Sequence, residues 1–303
     1  MYDETNFLDS IKEVLNMPDI KEKLIEGLFE TDAIKVCPAG KPFWYTSGKI
    51  GPYYVNTHFL YGGEEKANEL LSIIDEAKNN KRECSGIILE YALKNYNEQA
   101  IYRTAIDALV ESINEHAGIN GLDYISGGER RDWFFSLVTA YLLKKPHITI
   151  FKDMEAYIFS GGTAKKVESI EGARVIHIAD IITTASSFER AWVPAIRKIS
   201  GNLEHSFVIV DRMQGGAETL KKLGVASHSL ANIDAGVFRS AYEKKYINKD
   251  QYNVVCDYIK DPDAFMRNFF SENPDFIKKA LSGDEKTAQR ARLCIEKGYC
   301  VIK

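Results

Sequence analysis

Several features are scarce or missing in this chain of 303 residues, and each absence excludes a class of protein. The five cysteines show no CxxC spacing, so we expect neither a disulfide framework nor a zinc site. No uninterrupted apolar run approaches the roughly 18 residues that a membrane span needs. The N-terminal residues MYDETNFLDS lack the apolar core of a secretory signal. These absences predict a reduced, cytoplasmic protein with no membrane partner.

The chain also lacks an excess of positive charge. Lysine and arginine together number 39, against 43 aspartate and glutamate residues, which gives a formal net charge of -4. A general nucleic-acid binder carries a basic excess, so no nucleic-acid partner is predicted. Hydrophobic residues make up 45% of the chain, which is ordinary for a globular protein and enough for a sizeable core. A small cationic pocket for phosphate groups is compatible with this charge balance.

The spacing of apolar residues divides the chain into segments of different character. Helices followed by short strands are predicted first, then a helical segment without proline, then alternating strands and helices, and finally a helical tail. The predicted boundaries are 1–61, 62–117, 118–240 and 241–303. Within them we predict two short strands in 34–60, with a turn at Ser47-Gly48, and a polar segment over 152–172.

The most informative stretch is 173–216, where an apolar run ends in a single carboxylate, Asp180. A second apolar run ends in Asp211-Arg212, and the helical spacing between the two runs predicts a βαβ unit. Open α/β sheets hold ligands at the carboxyl ends of their strands. The first run is followed by small and hydroxyl-bearing residues, which are Thr183, Thr184, Ala185, Ser186 and Ser187. Such a turn at a helix start can hold a phosphate dianion, and the acid before it can reach a sugar hydroxyl or Mg²⁺.

Several segments together resemble the orotate phosphoribosyltransferase family. They are WYTSGKIGPYYVN (44–56), DYISGGERRDWFFSLVTAYLLKKP (123–146), VIHIADIITTASS (175–187) and IVDRMQGGAETLKKLGVASHSL (209–230). The resemblance implies an α/β protein of the type I phosphoribosyltransferase fold, with a mostly parallel central sheet and helices on both faces. The helices of 62–117 then form an insertion, and the residues from 241 on form a helical C-terminal extension.

The resemblance also implies a reaction and its partners. Members of the family join orotate to phosphoribosyl pyrophosphate with Mg²⁺ bound, releasing pyrophosphate, and they form homodimers. By this resemblance Asp180 holds the ribose hydroxyls and Mg²⁺, the 183–187 turn holds the 5′-phosphate, and Arg212 grips the orotate carboxylate through paired hydrogen bonds. The remaining implied substrate-binding residues are Lys49, Tyr53 and Tyr54 in the N-terminal segment, and Gly127 and Gly128 in the pyrophosphate turn. The alternatives are a solvated lysine at position 49 and a surface arginine at position 212.

Two departures from the family pattern affect the chemistry. The family has two adjacent acids where this chain has Ala179 and Asp180. The family's mobile loop carries several cations, of which only Lys152 is retained here. Glu155 and Tyr157 stand at two of the other positions. Because a leaving pyrophosphate builds up negative charge, the loss of a cationic donor there slows the reaction. Lysines later in the same loop, Lys165 and Lys166, are potential replacements.

The turn after Gly128 carries four consecutive charged residues, Glu129, Arg130, Arg131 and Asp132. Guanidinium groups suit phosphate geometry, so we expect Arg130 and Arg131, with Lys152, to neutralise the leaving pyrophosphate. Glu129 is expected to replace the missing acid as a second Mg²⁺ ligand. The alternative is an exposed turn in which Asp132 caps the following helix.

These observations predict an enzyme that forms orotidine 5′-phosphate and pyrophosphate. Two other functions are left open by the sequence. One is a phosphoribosyltransferase acting on a different base. The other is a non-catalytic regulator that binds phosphoribosyl pyrophosphate or a nucleotide, which Ala179, Glu155 and Tyr157 favour.

Overall fold

The structure is a computed structural model that describes residues 17–300. The predicted helix near Phe7 to Leu15 lies outside the described residues. In the described part, the strands in chain order are β1 (Ile34–Val36), β2 (Phe43–Trp44), β3 (Ile50–Gly51), β4 (Tyr53–Val55), β5 (Tyr124–Gly128), β6 (His147–Ile150), β7 (Ala156–Ser160), β8 (Thr163–Lys166), β9 (Arg174–Ile182), β10 (Asn202–Asp211) and β11 (Ala226–Asn232).

The helices of the described residues follow the same order. They are α1 (Met17–Glu30), α2 (Glu64–Ala77), α3 (Cys84–Glu98), α4 (Ala100–His116), α5 (Trp133–Leu142), α6 (Val193–Lys198), α7 (Gly216–Lys222), α8 (Ala235–Glu243), α9 (Lys249–Lys260), α10 (Pro262–Glu272), α11 (Phe276–Leu281) and α12 (Glu285–Glu296). A 3₁₀ turn spans Thr57–Tyr61, and a π-helical turn spans Phe188–Trp192.

The chain forms two compact units, and each is described by itself. The first contains the residues up to Ala33 and Thr57–Ile233, and the second contains Ile34–Asn56 and the residues from Asp234 on. The helices of 62–117 therefore belong to the same unit as the central sheet. The second unit joins the short N-terminal strands to the C-terminal helices.

A seven-stranded sheet, in the order β11-β10-β9-β5-β6-β7-β8, organises the first unit. The strands from β11 to β6 run parallel, and β7 and β8 are antiparallel. This mostly parallel sheet with its covering helices confirms the predicted α/β class. Most residues of β9 and β10 are buried, as expected for strands covered on both faces. From β5 the chain adds β6, β7 and β8 on one side of the sheet, and it then adds β9, β10 and β11 on the other side. The carboxyl ends of β5 and β9 therefore flank a crevice of the kind that holds ligands.

Helix α4 shows how the three helices of 62–117 are held in the first unit. Its apolar stripe, which includes Ala105, Leu109 and Ile113, is fully buried, and the helix contacts β10 and β11. The hydroxyl of Tyr102 donates a hydrogen bond to the carbonyl oxygen of Phe134 in α5. Helix α3 also packs on α5. No helix in residues 17–300 has the length and apolar character to cross a membrane.

Two local predictions are corrected by the structure. The polar segment over 152–172 contains the hairpin of β7 and β8, which extends the sheet. The segment 34–60 contains four short strands, paired as β1 with β4 and β2 with β3, where two were predicted. Pro194 would kink or end a continuous helix after the 183–187 turn. It lies in the first turn of α6, directly after the π-helical turn. A missing N–H costs no helical hydrogen bond at that position.

The second unit is built on a small aromatic and aliphatic core. Trp44 of β2 stacks on Phe276 with ring centroids 5.5 Å apart, and Met266, Phe269 and Ile277 belong to the same cluster. Side chains cap four of its helices: Asn248 forms a capping box with Gln251, and Asp234, Asp261 and Asp284 accept from backbone N–H groups. The sequence predicted these residues to be helical, and they are.

We expect Tyr102→Phe to lower the free energy of unfolding by about 1–2 kcal/mol, because it removes a buried hydrogen bond between α4 and α5. Urea unfolding of the two proteins measures this change. Tyr141→Phe is the matched control, since the Tyr141 side chain is 56% exposed and its loss of a hydroxyl should be neutral. Equal losses in both variants would show that the Tyr102 hydroxyl does not stabilise the fold.

Candidate functional site

The turn after β9 presents unused hydrogen-bond donors. Within residues 17–300, the backbone N–H groups of 183–187 donate no hydrogen bond to another protein group. The carbonyl of Ala185 accepts from the N–H of Glu189 at 3.0 Å, which starts the helical segment. Ala185 has φ of 60°, in the left-handed region where a side chain costs about 1 kcal/mol. The turn is therefore an array of free donors at a helix start, which is an arrangement suited to an anion.

The last two residues of β5 come so close to their neighbours that only glycine fits there. A Cβ on Gly127 would lie within 3.0 Å of Ser136, and one on Gly128 would lie within 3.0 Å of the Trp192 ring. The Trp133 indole N–H donates to the carbonyl of Gly127 at 3.0 Å. The following peptide bond, between Glu129 and Arg130, is cis.

Asp132 joins this turn to the end of β9. Its Oδ2 accepts from the N–H of Gly128 at 3.1 Å, and its Oδ1 accepts from the N–H of Asp180 at 3.0 Å. The same Oδ2 lies 3.4 Å from Nε2 of His177. Asp132 makes no side-chain hydrogen bond to the start of α5, so the alternative in which it caps that helix is wrong.

Asp180 is a buried carboxyl group at the carboxyl end of the sheet, 6% exposed. The Thr57 hydroxyl donates to its Oδ2 at 2.8 Å. Burial, and then the negative charge of Asp132, raise the pKa of Asp180 to about 7, while the positive charge of Arg131 opposes this shift. A cation bound beside Asp180 would favour its ionised form.

The arginines of the charged turn differ in their surroundings. Arg130 is ion-paired with Asp75 of the α2 helix. Arg131 is exposed and has no ion-pair partner within the described residues. Both arginines contribute to the low pKa of buried His58, about 3, for which burial is the main cause. The Oε2 of Glu129 accepts from the N–H of Lys152 at 2.9 Å.

One pocket of the first unit, with a volume of about 320 Å³, brings most of these groups together. Its lining consists of residues 129–132, 179–183 and 185–188 and of Trp192. The three carboxyl groups of Glu129, Asp132 and Asp180, the arginines and the donor-rich turn thus face a common space, which we call the main pocket. Thr184 and the two glycines flank it without lining it.

The chain is similar to several characterised proteins over most of its length. It is 26% identical over 246 residues to the orotate phosphoribosyltransferase of Staphylothermus marinus, covering 81% of this chain and 97% of that protein. It is 28% identical over 219 residues to the one of Methanosphaera stadtmanae, covering 72% and 96%. No protein-family model matches the chain. The chain is thus similar to orotate phosphoribosyltransferases along most of its length.

The fold agrees with this similarity in sequence. A solved structure of UMP synthase from Leishmania donovani superposes with a TM-score of 0.55 at 16% identity, covering 79% of this chain and 42% of that one. The fold is thus the type I phosphoribosyltransferase fold that the sequence predicted. The relatives are named as phosphoribosyltransferases, which supports classing the chain with the phosphoribosyltransferase enzymes.

The segment in which this chain lacks most of the family's cations forms the hairpin of β7 and β8. Glu155, which lies where the family carries a cation, is ion-paired with Lys81 at 2.8 Å and with Lys166. Its negative charge is therefore compensated locally. Neither Lys165 nor Lys166 lines the main pocket, so the structure gives no support to their predicted replacement role. Tyr157 lies in β7, with its ring 5.5 Å from that of Phe151.

Arg212 and Lys152, two further residues with roles implied by the family resemblance, lie in the first unit. Arg212 follows β10, beside β9 in the sheet, and its N–H donates to the carbonyl of Ile182 at 2.9 Å. Lys152 follows β6, and among residues 17–300 its ammonium group has no ion-pair partner. The predicted roles of both remain predictions.

The N-terminal family segment belongs to the second unit. Lys49 is ion-paired with Asp263 at 2.9 Å. The Tyr54 hydroxyl accepts from Arg290 at 3.2 Å. Tyr53 is 3% exposed and packs on aromatic rings of the same unit, which favours a structural role for it. The substrate contacts predicted for these residues remain predictions.

Sequence reasoning did not predict the contacts that Thr57 and Asp132 make in the site. Thr57 is 123 positions from Asp180, and no local pattern links them. Asp132 was weighed only as a helix cap, although an acid in a turn between two glycines and a buried helix is a signal for a bond to backbone N–H groups.

We expect Gly128→Ala to reduce stability by about 1–3 kcal/mol, because the added methyl group meets the Trp192 ring. Thermal or urea unfolding measures the change. Gly86→Ala is the control, since the nearest atom to its new Cβ is 3.6 Å away and the site is in a helix, where alanine is favoured. A Gly128→Ala protein as stable as the wild type would contradict the close packing.

The raised pKa of Asp180 predicts a pH dependence of stability in the metal-free protein. Between about pH 4 and pH 7 the folded protein keeps a proton that the unfolded chain releases, so stability falls as the pH rises through this window. Asp180→Asn removes this contribution and should flatten the curve by on the order of 2 kcal/mol. Urea unfolding at several pH values with a chelator present tests it, and parallel curves for the two proteins would refute it.

Proposed function

We propose that this chain is an orotate phosphoribosyltransferase, which joins orotate to the ribose of phosphoribosyl pyrophosphate and releases pyrophosphate. The product is orotidine 5′-phosphate. The observation that carries the proposal is the main pocket, in which the donor-rich 183–187 turn, the buried Asp180 and the unpaired Arg131 face one space. The names of the relatives support the choice of orotate.

The 5′-phosphate is held by the 183–187 turn in this proposal. The turn offers backbone N–H groups and side-chain hydroxyls at a helix start, where the helix dipole also favours an anion. Arg190 donates from Nε to the carbonyl of Ser186 at 3.2 Å, which supports the turn from behind. The turn thus anchors one end of the substrate while the ribose lies toward Asp180.

Asp180 holds the ribose hydroxyls and faces the sugar when positive charge develops there. Displacement of pyrophosphate at the anomeric carbon passes through an oxocarbenium-like state, which an ionised carboxylate stabilises electrostatically. Thr57 and Asp132 position this carboxyl group and its backbone. No nucleophilic side chain is required, because positioning and electrostatics carry such a reaction.

The residues of the main pocket fit Mg²⁺. Mg²⁺ prefers oxygen ligands and is commonly held by one or two carboxylates together with substrate phosphates and water. Asp180 supplies such a carboxylate, and a bound cation would offset the burial and the neighbouring Asp132 charge that raise its pKa. Asp180 would hold the ion, which would neutralise charge on the pyrophosphate. Within the described residues no cluster of three His, Cys, Asp or Glu side chains is arranged for a metal, so most ligands would come from the substrate. The role of Glu129 as a second ligand remains a prediction.

The cations near the pocket neutralise the leaving group. Arg130 and the exposed Arg131 line the main pocket, and Lys152 lines the pocket that adjoins it. Arg212 is the proposed partner of the orotate carboxylate, because a guanidinium binds a carboxylate with two charge-assisted hydrogen bonds. We also propose a homodimer from the family resemblance, which sedimentation velocity tests.

Pyrophosphate release is the decisive assay, with phosphoribosyl pyrophosphate, Mg²⁺ and either orotate or uracil. We expect orotate-dependent turnover that falls by about 10²–10³ in Asp180→Asn and Arg131→Gln, since each removes electrostatic stabilisation of the transition state. Chelation of Mg²⁺ should abolish turnover, and its return should restore it. Arg82→Gln, at an exposed arginine of the same unit, is the control.

The other outcomes of this assay identify the alternatives. Turnover with uracil but not with orotate would indicate a different base. Binding of phosphoribosyl pyrophosphate with no turnover on any base would indicate a regulator and would overturn the proposed reaction.

A further inference from the structure

A second pocket of the first unit adjoins the main pocket and has a volume of about 630 Å³. The two pockets share Glu129, Arg130, Ser187 and Trp192. The second one, which we call the side pocket, is completed by residues from three other places in the chain. They are Asp75 and Lys78 from the end of α2, Lys152 after β6, and Arg190 and Ala191 of the π-helical turn.

The side pocket has an excess of positive charge. Four cations line it, against the two acids Asp75 and Glu129. Asp75 is already shared between Lys78, at 2.7 Å, and Arg130. The positive charges of Lys152 and Arg190 have no acidic partner within the described residues. A pocket with this balance suits an anion that bears more than one negative charge.

Lys78 is the cation of this pocket that the helical segment 62–117 supplies. It lies just after α2, in the helical segment 62–117 that the family resemblance does not cover. Its ammonium group is 2.7 Å from Asp75 and 3.6 Å from Glu129, and its side chain is 34% exposed. Asp75 thus holds both Lys78 and Arg130 at the edge of the pocket, as a positioning residue.

We propose that the side pocket takes the pyrophosphate group of the substrate and that Lys78, supplied by the α2 segment, contacts it directly. This inference rests on the proposed function, since the 183–187 turn must hold the 5′-phosphate in the adjoining main pocket. Ser187 and Arg130 lie at the boundary of the two pockets, so a ligand anchored at the turn reaches the side pocket at its other end. The helical insertion then completes the leaving-group site within a single chain.

Calorimetric titration of the full chain with pyrophosphate and Mg²⁺ tests the inference without requiring turnover. Loss of one charged hydrogen bond predicts that Lys78→Ala weakens pyrophosphate binding about tenfold or more, with ribose 5-phosphate binding unchanged. Lys78→Arg should keep most of the affinity. Lys94→Ala is the matched control, because Lys94 is an exposed lysine of the neighbouring α3 helix. Thermal unfolding of each protein checks that it is folded, and Lys78→Met, which keeps the apolar stem, replaces Lys78→Ala if that variant does not fold.

Pyrophosphate binding that is as tight in the folded Lys78 variant as in the wild type would overturn the inference. Equal weakening of pyrophosphate and ribose 5-phosphate would also overturn it, because that pattern indicates a structural role for Lys78. The two proposals fail separately in these experiments. Wild-type turnover with an unaffected Lys78 variant refutes only the side-pocket inference, whereas selective pyrophosphate binding without turnover refutes only the proposed reaction.

Discussion

The carboxylate of Asp132 is the interaction on which the rest of the site depends. With one oxygen on the N–H of Gly128 and the other on the N–H of Asp180, it links the ends of two adjacent parallel strands. Both strands end in turns that line the main pocket. A buried charge with hydrogen bonds of this kind is favourable only while every partner is in place. The two turns are therefore fixed relative to each other by a side chain that need not touch the substrate.

A second consequence of this link is electrostatic. Placing Asp132 beside Asp180 brings two acidic groups together in a largely buried location, which raises the pKa of Asp180. The surrounding cations do not fully compensate, since Arg130 is already paired with Asp75. In the protein alone the ionised form of Asp180 is therefore disfavoured. A bound cation together with the substrate would stabilise that form. Such an arrangement keeps binding energy available for the charged form of the site.

The sequence was sufficient for those parts of the structure that depend on local patterns. The strands around Asp180, the 183–187 turn and the three helices of 62–117 could all be predicted, because periodicity and turn residues act over a few positions. Residues that meet across long separations could not. Thr57 and Asp180 are an example, as are Asp75 and Arg130, which are 55 positions apart. Glu155 was expected to oppose the chemistry, but its charge is compensated by Lys81, whose proximity depends on the packing of α2 and α3.

The hairpin of β7 and β8 also changes the outer edge of the sheet. An edge strand has unpaired backbone groups that can recruit a strand from another molecule. Here the edge position belongs to β8, a short strand that carries Lys165 and Lys166 and follows Gly161-Gly162, which both have positive φ. Short length and repeated positive charge are the features that discourage strand addition between molecules. The same hairpin that carries Glu155 and Tyr157 at the family's cation positions therefore discourages aggregation through this edge of the sheet.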